Sequence, residues 1–358
     1  MPDTTTQLGL SKLLSQVAEY KASALHLSVG NPPILRVDEK LLPIESEGIM
    51  TPDRIEKIAL SFLNADQKAE LEAEKEIVFT YSFEERARFK VSIFYQKGYL
   101  SVSLRYIPTV VPTLHELGLP SIVERFTQLK KGLVLVTGPF GSGKTTTLAS
   151  LVDAINQSRS EYIISIERPI EYLFTNNKSI VEQREVGRDT QSIQKALFNI
   201  PQEDMNVVMI SEMETPEIME LVFTVVESGR LVFSSMNTDS AYKTIERIIN
   251  SFPDQKHEQI RLQLADALEG VISQRLLPRV GGGKVAAAEI LVPTPAVKAI
   301  MKEGSIYQLN TILQTSREEG MISLDRALAD LVKAGEVLME DALAHAVDKN
   351  GLKMMIRI

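Results

Sequence analysis

The chain has 358 residues, and its 39 lysine and arginine residues against 47 aspartate and glutamate residues give a formal net charge of −8. This balance argues against non-specific binding to nucleic acid or anionic lipid over the whole surface, because both need a positive surface. The absence of cysteine excludes disulfides and thiolate metal sites. We see no signal peptide and no apolar run of the roughly 18 residues that span a membrane, so we expect a cytoplasmic chain.

The first hundred residues predict a small α+β domain. Apolar residues at helical spacing over 7–21 predict a helix, and Thr51 and Pro52 are typical of the N-cap and first turn of a second helix. Short strand-like runs, ALHLSV and PILRVD, lie between them. Alternating apolar and polar residues over 86–95 and 100–107 predict two further strands.

A change of pattern then divides the chain. Three prolines and a glycine in 108–120 predict a linker, so we expect domains at 1–107 and 121–358. The second domain contains the apolar runs GLVLVT, YIISIE, NVVMIS, RLVFSS and VAAAEIL. Most are apolar on both faces and alternate with helical patterns, which predicts an α/β domain around a mostly parallel sheet. From about residue 322 the chain is charged and helical.

A phosphate loop is the strongest local motif. Residues 138–145, GPFGSGKT, fit the pattern G-x-x-x-x-G-K-[ST], with a strand-like run before and a helix-like run after. Its glycines let backbone N–H groups turn toward a phosphate, and the helix adds its positive N-terminal end. We expect Lys144 to reach the β- and γ-phosphates and Thr145 to bind Mg²⁺. The predicted phosphate-binding residues are Gly138, Pro139, Gly141, Ser142, Gly143, Lys144, Thr145 and Thr146.

The sequence favours ATP over GTP and offers two carboxylates for its hydrolysis. Selective guanine recognition usually needs N-K-x-D, and the nearest candidate, residues 177–180, reads NKSI. Hydrolysis needs an acid to orient or deprotonate water and another to hold Mg²⁺ through its water shell. Glu212 and Glu167 each follow a strand-like run, where such acids meet at one edge of a parallel sheet. Either could also be an ordinary helix-start or surface acid.

Besides the phosphate loop, six longer segments stand out: ALHLSVGNPPILRVD, RFKVSIFYQ, ISIERPIEY, VEQREVGRDT, ERIINSFP and ISQRLLP. The pair VEQREVGRDT and ERIINSFP is far more specific than the phosphate loop alone. In this order these segments make essentially the whole chain resemble the secretion and type IV pilus motor ATPases, in the twitching-motility retraction (PilT/PilU) branch. The tail, LAHAVDKNGLKMMIRI, looks more like the PilU member.

The resemblance implies a homo-hexamer of subunits that each have a PAS-like N-terminal domain and a RecA-like ATPase domain. ATP and Mg²⁺ would bind near the subunit interface, and domain rotation would remove pilin from the pilus base. Glu212 matches the family's Walker B glutamate and Glu167 the glutamate of its Asp box. Arg88 and Arg105 match N-terminal-domain arginines that reach ATP; without the resemblance they would be read as exposed strand cations.

The resemblance also implies partners and a location. The partners are a paralogous retraction ATPase and the inner-membrane platform protein of the pilus. No nucleic acid is expected, and contact with the membrane would come only through partners, at the inner-membrane base of the pilus.

The chain departs from the family pattern at four positions that bear on hydrolysis. Arg168 stands where the family has an aspartate, and Glu214 where it has an arginine. The two histidines of the family's His box are Arg230 and Asn237 here. Asn237 can hydrogen-bond a phosphate or water but cannot be protonated, and we count it among the nucleotide-binding residues. We therefore expect nucleotide binding to survive and hydrolysis to be slow, dependent on partners, or lost.

Three functions remain open from the sequence. The first is a motor ATPase that assists pilus retraction. The second is a nucleotide-binding subunit that stabilises or regulates a motor ring without hydrolysis. The third, an extension or secretion motor, is weaker, because those chains usually have a longer N-terminal region and many have a tetracysteine site that this chain cannot form.

Overall fold

A computed structural model shows two compact units. The structure describes residues 4–37, 40–83 and 87–357. Unit 1 comprises Met1–Val110 and Pro169–Leu173, and unit 2 comprises Val111–Arg168 and Phe174–Ile358. Asp38 and Arg86, at the ends of two predicted strands, lie outside the described residues. Within the part of the chain that is described, no helix is both long and apolar enough to span a membrane.

Unit 1 is an antiparallel sheet with helices packed against it. Its elements are α1 (Thr4–Glu19), β1 (Ala24–Leu27), β2 (Ile34–Val37), β3 (Lys40–Pro43), α2 (Pro52–Phe62), α3 (Ala65–Glu74), β4 (Glu76–Phe83), β5 (Ala87–Gln96) and β6 (Tyr99–Ile107). The strand order is β3-β2-β1-β6-β5-β4. The α+β prediction is confirmed, and α2 begins as predicted, with the Thr51 hydroxyl accepting a hydrogen bond from Arg54 N at 3.3 Å.

Unit 2 is built on a seven-stranded sheet in the order β13-β12-β7-β11-β10-β8-β9. Its strands are β7 (Gly132–Thr137), β8 (Tyr162–Glu167), β9 (Ile180–Glu185), β10 (Val207–Ile210), β11 (Leu231–Met236), β12 (Leu268–Pro278) and β13 (Lys284–Leu291). The strands are parallel except β13, which pairs antiparallel with β12. The predicted mostly parallel sheet is confirmed, and VAAAEIL, in β13, is its antiparallel member because a short glycine-rich turn joins it to β12 as a hairpin.

Helices cover both faces of this sheet. They are α4 (Lys144–Ser158), α5 (Ile193–Asn199), α6 (Pro216–Glu227), α7 (Ala241–Asn250), α8 (His257–Ala267), α9 (Pro295–Glu303), α10 (Leu309–Thr315), α11 (Leu324–Lys333), α12 (Met339–His345) and α13 (Lys349–Arg357). Alternate residues of β7 belong to opposite cores: Leu133 and Leu135 pack in the core with α6 to α8, and Val134 and Val136 pack with α4. Burial on both faces explains the continuous apolar run of this strand.

The C-terminal helices form a smaller core of their own. Residues of α11, α12 and α13 pack on the ends of β12 and β13, around the fully buried Leu277 and Leu328. This confirms the predicted helical end from about residue 322.

Candidate nucleotide site

The strand order decides which side chains meet at the phosphate loop. The loop follows β7, whose neighbours are β11 and β12, and β10 lies beyond β11. Asn237 follows β11 and Glu212 follows β10, so they stand one and two strands from the loop. Glu167 ends β8, three strands from β7, which at the usual strand spacing is about 14 Å. Of the two predicted carboxylates, Glu212 is therefore the nearer to the loop.

The phosphate loop turns tightly at its glycines. Gly138 has φ 148°, and a Cβ there would lie 2.4 Å from Ser142 Oγ and 2.5 Å from Gln274 O, so only glycine fits. Gly143 has φ 89° and precedes α4, which begins at Lys144. The Ser142 hydroxyl is buried without a hydrogen-bond partner among the described residues. A tight cradle, an unsatisfied hydroxyl and a helix N-terminus fit a bound phosphate.

Lys144 folds over its own loop. Its ammonium donates to Gly138 O at 2.9 Å, to Pro139 O at 3.1 Å and to Asn237 Oδ1 at 2.6 Å. Burial lowers the pKa of Lys144, and the carboxylate of Glu212 opposes that shift. All three protons of the ammonium thus have acceptors that phosphate oxygens can replace.

Glu212 is held by β11. Ser235, in β11, hydrogen-bonds the residues on either side of Glu212. Its hydroxyl donates to Ser211 O at 2.5 Å, and its carbonyl accepts from Met213 N at 2.9 Å. The Glu212 carboxylate accepts a hydrogen bond from the Asn237 amide. Burial, and next the negative charge of Glu214, raise the pKa of Glu212, while Lys144 is the first of the groups that lower it. A carboxylate with a raised pKa beside a phosphate loop is suited to accept a proton from water.

Gln274 connects the phosphate loop to the sheet by hydrogen bonds. It was not identified from the sequence as a residue of the site. From β12 its buried amide donates to Ser142 O at 2.7 Å and accepts from Thr147 Oγ1 at 3.0 Å. It therefore joins the loop to the first turn of α4. The available signal was a polar glutamine inside the apolar segment ISQRLLP, because a buried amide needs partners.

Two arginines fix the segment between β11 and α7, and both were also missed. Arg247 donates to Asn237 O at 2.7 Å, and Arg275 donates to Asp239 O at 2.6 Å. Arg275 also lies 3.5 Å from the Asp239 carboxylate. These contacts orient the backbone from which Asn237 reaches Lys144 and Glu212.

Glu167 and Arg168 are adjacent in sequence but differ in surroundings. The buried carboxylate of Glu167 accepts from Ser165 Oγ at 2.7 Å and from Gln183 Nε2 at 3.1 Å. Arg168 is exposed, and its guanidinium has neither a hydrogen-bond nor an ion-pair partner within the described ranges.

Arg230 lies away from the loop, and its effect on hydrolysis stays a prediction. It precedes β11, about 20 Å along the strand from Asn237. Its guanidinium donates to the carbonyls of Ser228, Glu203 and Pro201 at 2.5, 2.8 and 3.3 Å. The residue secures backbone at the amino ends of the strands.

Arg88 and Arg105 belong to unit 1. Arg88, in β5, donates to Thr80 Oγ1 at 2.8 Å, Ser82 Oγ at 3.1 Å and Ile170 O at 2.9 Å. Arg105 is an exposed residue of β6, in register with Ala24 and Lys90 on the neighbouring strands. Their predicted contact with ATP stays a prediction.

A magnesium ion would find few protein ligands here. Among the described residues, no group of three or more histidine, aspartate or glutamate side chains is placed to hold a metal ion. This donor set fits a Mg²⁺ that is carried largely by phosphate oxygens and water, with the Thr145 hydroxyl as the protein ligand. Thr145 is the second residue of α4, directly after Lys144.

Comparison with known proteins agrees with this geometry. A family model described as "Type II/IV secretion system protein" matches residues 5–305. The chain is 37% identical over 344 residues to the type IV pilus retraction ATPase PilT of Pseudomonas aeruginosa, covering 95% of this chain and 98% of the relative. It is 36% identical over 348 residues to the type IV pilus ATPase PilU of the same organism, covering 97% and 91%.

A solved structure is similar over the same length. The crystal structure titled as the pilus retraction motor PilT with bound ADP has a TM-score of 0.85 at 38% identity, covering 96% of this chain and 98% of that one. The near-equal identities to PilT and PilU do not separate the two over the whole chain, so the PilU-like tail stays a prediction. The resemblance predicted from the motifs is confirmed: the chain belongs to the type II/IV secretion system protein family, among the PilT and PilU twitching-motility ATPases.

Proposed function

We propose that this chain is an ATP-binding motor ATPase that assists retraction of a type IV pilus. The observation that carries the proposal is the link from Lys144 through Asn237 to Glu212 above an intact phosphate loop. It joins Lys144, which would bind the phosphates, to Glu212, which would accept a proton from the attacking water. Relatives that match almost the whole chain are named as pilus retraction ATPases, which supports the biological role.

Each residue would have a distinct task. The loop N–H groups and Lys144 bind the β- and γ-phosphates, and the lysine exchanges its bonds to Gly138 O and Pro139 O for phosphate oxygens. A Mg²⁺ held at Thr145 would neutralise charge on the phosphates. Glu212 takes a proton from the attacking water, while Asn237 fixes the direction of its carboxylate.

Hydrolysis is expected to be slower than in a relative that has the family residues. Asn237 replaces a histidine and cannot deliver a proton, and Glu214 adds negative charge where the γ-phosphate must be stabilised. Three further residues complete the proposed catalytic set. We propose that Glu167 acts on the metal through its water shell and that Arg88 and Arg105 reach ATP.

The finer architecture follows the same proposal. We infer a PAS-like domain at 1–107, supported by an antiparallel sheet with helices packed against it. A linker at 108–120 leads to a RecA-like ATPase domain at 121–358, supported by the phosphate loop on a mostly parallel sheet. The assembly would be a homo-hexamer in the cytoplasm, at the inner-membrane base of the pilus. A paralogous ATPase and the platform protein would be its partners.

The non-hydrolysing alternative is not favoured, because Glu212 is retained and correctly linked. The test is steady-state phosphate release with Mg-ATP, run with Lys144→Ala and with Lys130→Ala, a matched control at an exposed lysine paired with Glu161. Binding of an ATP analogue is measured in parallel. Turnover that is lost only in Lys144→Ala supports the proposal. Binding without turnover, also after addition of the paralogue, would contradict it.

A further inference from the structure

A single buried carboxylate joins the candidate site to the C-terminal helices. Glu289 lies in β13 and is 7% exposed. It accepts a hydrogen bond from Ala241 N at 2.7 Å, and the N–H group of Leu324 faces the same carboxylate and stabilises its charged form. Ala241 is the first residue of α7 and Leu324 the first of α11. One side chain thus satisfies the first N–H group of α7 and lies at the N-terminus of α11, two helices that are far apart in sequence.

Both helix ends need this carboxylate. Ser240 and Ser323 cap the third N–H groups, at Lys243 and Arg326 respectively. The first N–H groups would otherwise be unsatisfied in a buried place, because no intrahelical acceptor exists for them. The positive ends of two helix dipoles also favour an anion here. Replacement by a neutral amide removes the charge and leaves one of the two N–H groups without an acceptor.

The α7 end of this contact leads to the phosphate loop. Only Thr238, Asp239 and Ser240 separate Asn237 from Ala241. Over this stretch Arg247 holds Asn237 O, Arg275 holds Asp239 O, and Glu289 holds Ala241 N. Glu289 therefore fixes one end of the segment from which Asn237 contacts Lys144 and Glu212.

The α11 end leads to the C-terminus. Asp325, next to Leu324, is 8% exposed, and its two carboxylate oxygens accept from Val347 N and Asp348 N, each at 2.8 Å. Asp348 in turn accepts from Asn350 N and Gly351 N at 3.0 Å, at the start of α13. Carboxylates that face backbone N–H groups thus connect α13, α11 and α7.

We propose that Glu289 is a positioning residue for the hydrolytic site and that, through it and Asp325, the C-terminal helices α11–α13 set the position of Asn237. The inference rests on the proposed ATPase function. Glu289 does not touch the phosphate loop or the nucleotide; it acts through the backbone of the segment that carries Asn237. The C-terminal helices are then a place from which a bound protein could change the rate of hydrolysis without touching the nucleotide.

The first test separates kcat from KM. Glu289→Gln keeps the shape but turns an amide NH₂ toward one of the two N–H donors. We expect kcat for ATP to fall at least about tenfold while KM changes less than about threefold, because a small displacement of Asn237 affects chemistry rather than phosphate binding. A rise in KM with unchanged kcat, or unaltered amide exchange over 237–250, would overturn the proposal.

The second test does not depend on turnover. In Asp325→Asn we expect amide hydrogen exchange over residues 237–250 to rise at least about fivefold, as it does in Glu289→Gln. The matched control is Asp330→Asn, on the same helix, whose carboxylate is exposed and pairs only with Arg326. If amide hydrogen exchange in Asp325→Asn rises only at 345–352, the proposed coupling between the C-terminal helices and the segment that carries Asn237 is overturned. If the wild-type chain hydrolyses no ATP, the proposed function fails, but this comparison still decides the inference.

Discussion

The Asn237 amide donates to the Glu212 carboxylate, and its oxygen accepts from Lys144 at 2.6 Å. The Asn237 side chain thus bridges Lys144, the proposed phosphate-binding residue, and Glu212, the proposed base for the attacking water. A histidine at this position would change its charge near neutral pH, but asparagine does not titrate. A pH dependence of the bridge therefore arises from its partners, among them Glu212, and not from residue 237 itself.

Removal of this bridge should act mainly on the chemical step. For Asn237→Ala we expect kcat to fall at least about tenfold with a smaller rise in KM, because Lys144 still reaches the phosphates while Glu212 loses its orientation. Steady-state phosphate release checks this. Asn250→Ala, at an exposed asparagine that ends α7, is the matched control and should behave as wild type. Wild-type kcat in Asn237→Ala would contradict the role of the bridge.

Gln274 should contribute to both stability and nucleotide binding. Gln274→Ala removes the bonds to Ser142 O and Thr147 Oγ1 and leaves buried groups without partners, at a cost of about 1–3 kcal/mol each before relaxation. We expect a lower denaturation midpoint and weaker binding of an ATP analogue.

Ser273→Ala is the control for that experiment. The adjacent Ser273 hydroxyl is buried in β12 and has no hydrogen-bond partner in the described part of the chain. Its removal should change stability by less than about 1 kcal/mol, in either direction. Equal destabilisation by both substitutions would mean that burial in β12, and not the loop contacts, explains the effect.

The local features of the site could be predicted from the sequence. The phosphate loop, its strand and its helix lie within one continuous stretch, and the structure has β7, the glycine turns and α4 where the pattern predicts them. The position of Glu212 after β10 was also predictable, because a buried strand followed by an acid is a local signal. In these cases one segment contains all the necessary information.

The remaining contacts depend on topology. Gln274 reaches the loop only because β12 inserts beside β7, and Glu289 meets α7 and α11 only because β13 turns back along β12. Neither strand was predicted in this arrangement. Strand β9 was missed as well, because an edge strand reading IVEQRE is only half-buried and lacks an apolar run.

Arg168 offers a direct test of the departure from the family. Because its exposed guanidinium has no partner among the described residues, Arg168→Asp should change the free energy of unfolding by less than about 0.5 kcal/mol. If the arginine repels Mg²⁺, the aspartate should raise turnover and lower the Mg²⁺ concentration needed for half-maximal activity. Arg188→Asp, at another exposed arginine, controls for net charge. The same Mg²⁺ dependence in both variants would show that Arg168 does not act on the metal.

The raised pKa of Glu212 predicts a pH dependence that Glu214 controls. Burial is the larger cause and the Glu214 carboxylate the next, so removal of the Glu214 charge lowers the Glu212 pKa. Since the ionised form accepts the proton from water, activity rises as pH increases through this pKa. In Glu214→Gln the acid limb of the kcat profile should therefore move to lower pH, and an arginine at this position should move it further.

The profile is measured by phosphate release at saturating Mg-ATP over pH 5 to 9, a range chosen to span the ordinary pKa values of glutamate and histidine. Glu227→Gln, at an exposed acid that ends α6 and does not act on Glu212, is the matched control and should leave the limb in place. A limb that stays unmoved in Glu214→Gln would mean that another group, not Glu212, governs the proton transfer. A basic limb that moves to lower pH in Glu214→Gln would instead mean that the protonated form of the group is the active one, and Glu212 would then serve as an acid rather than a base.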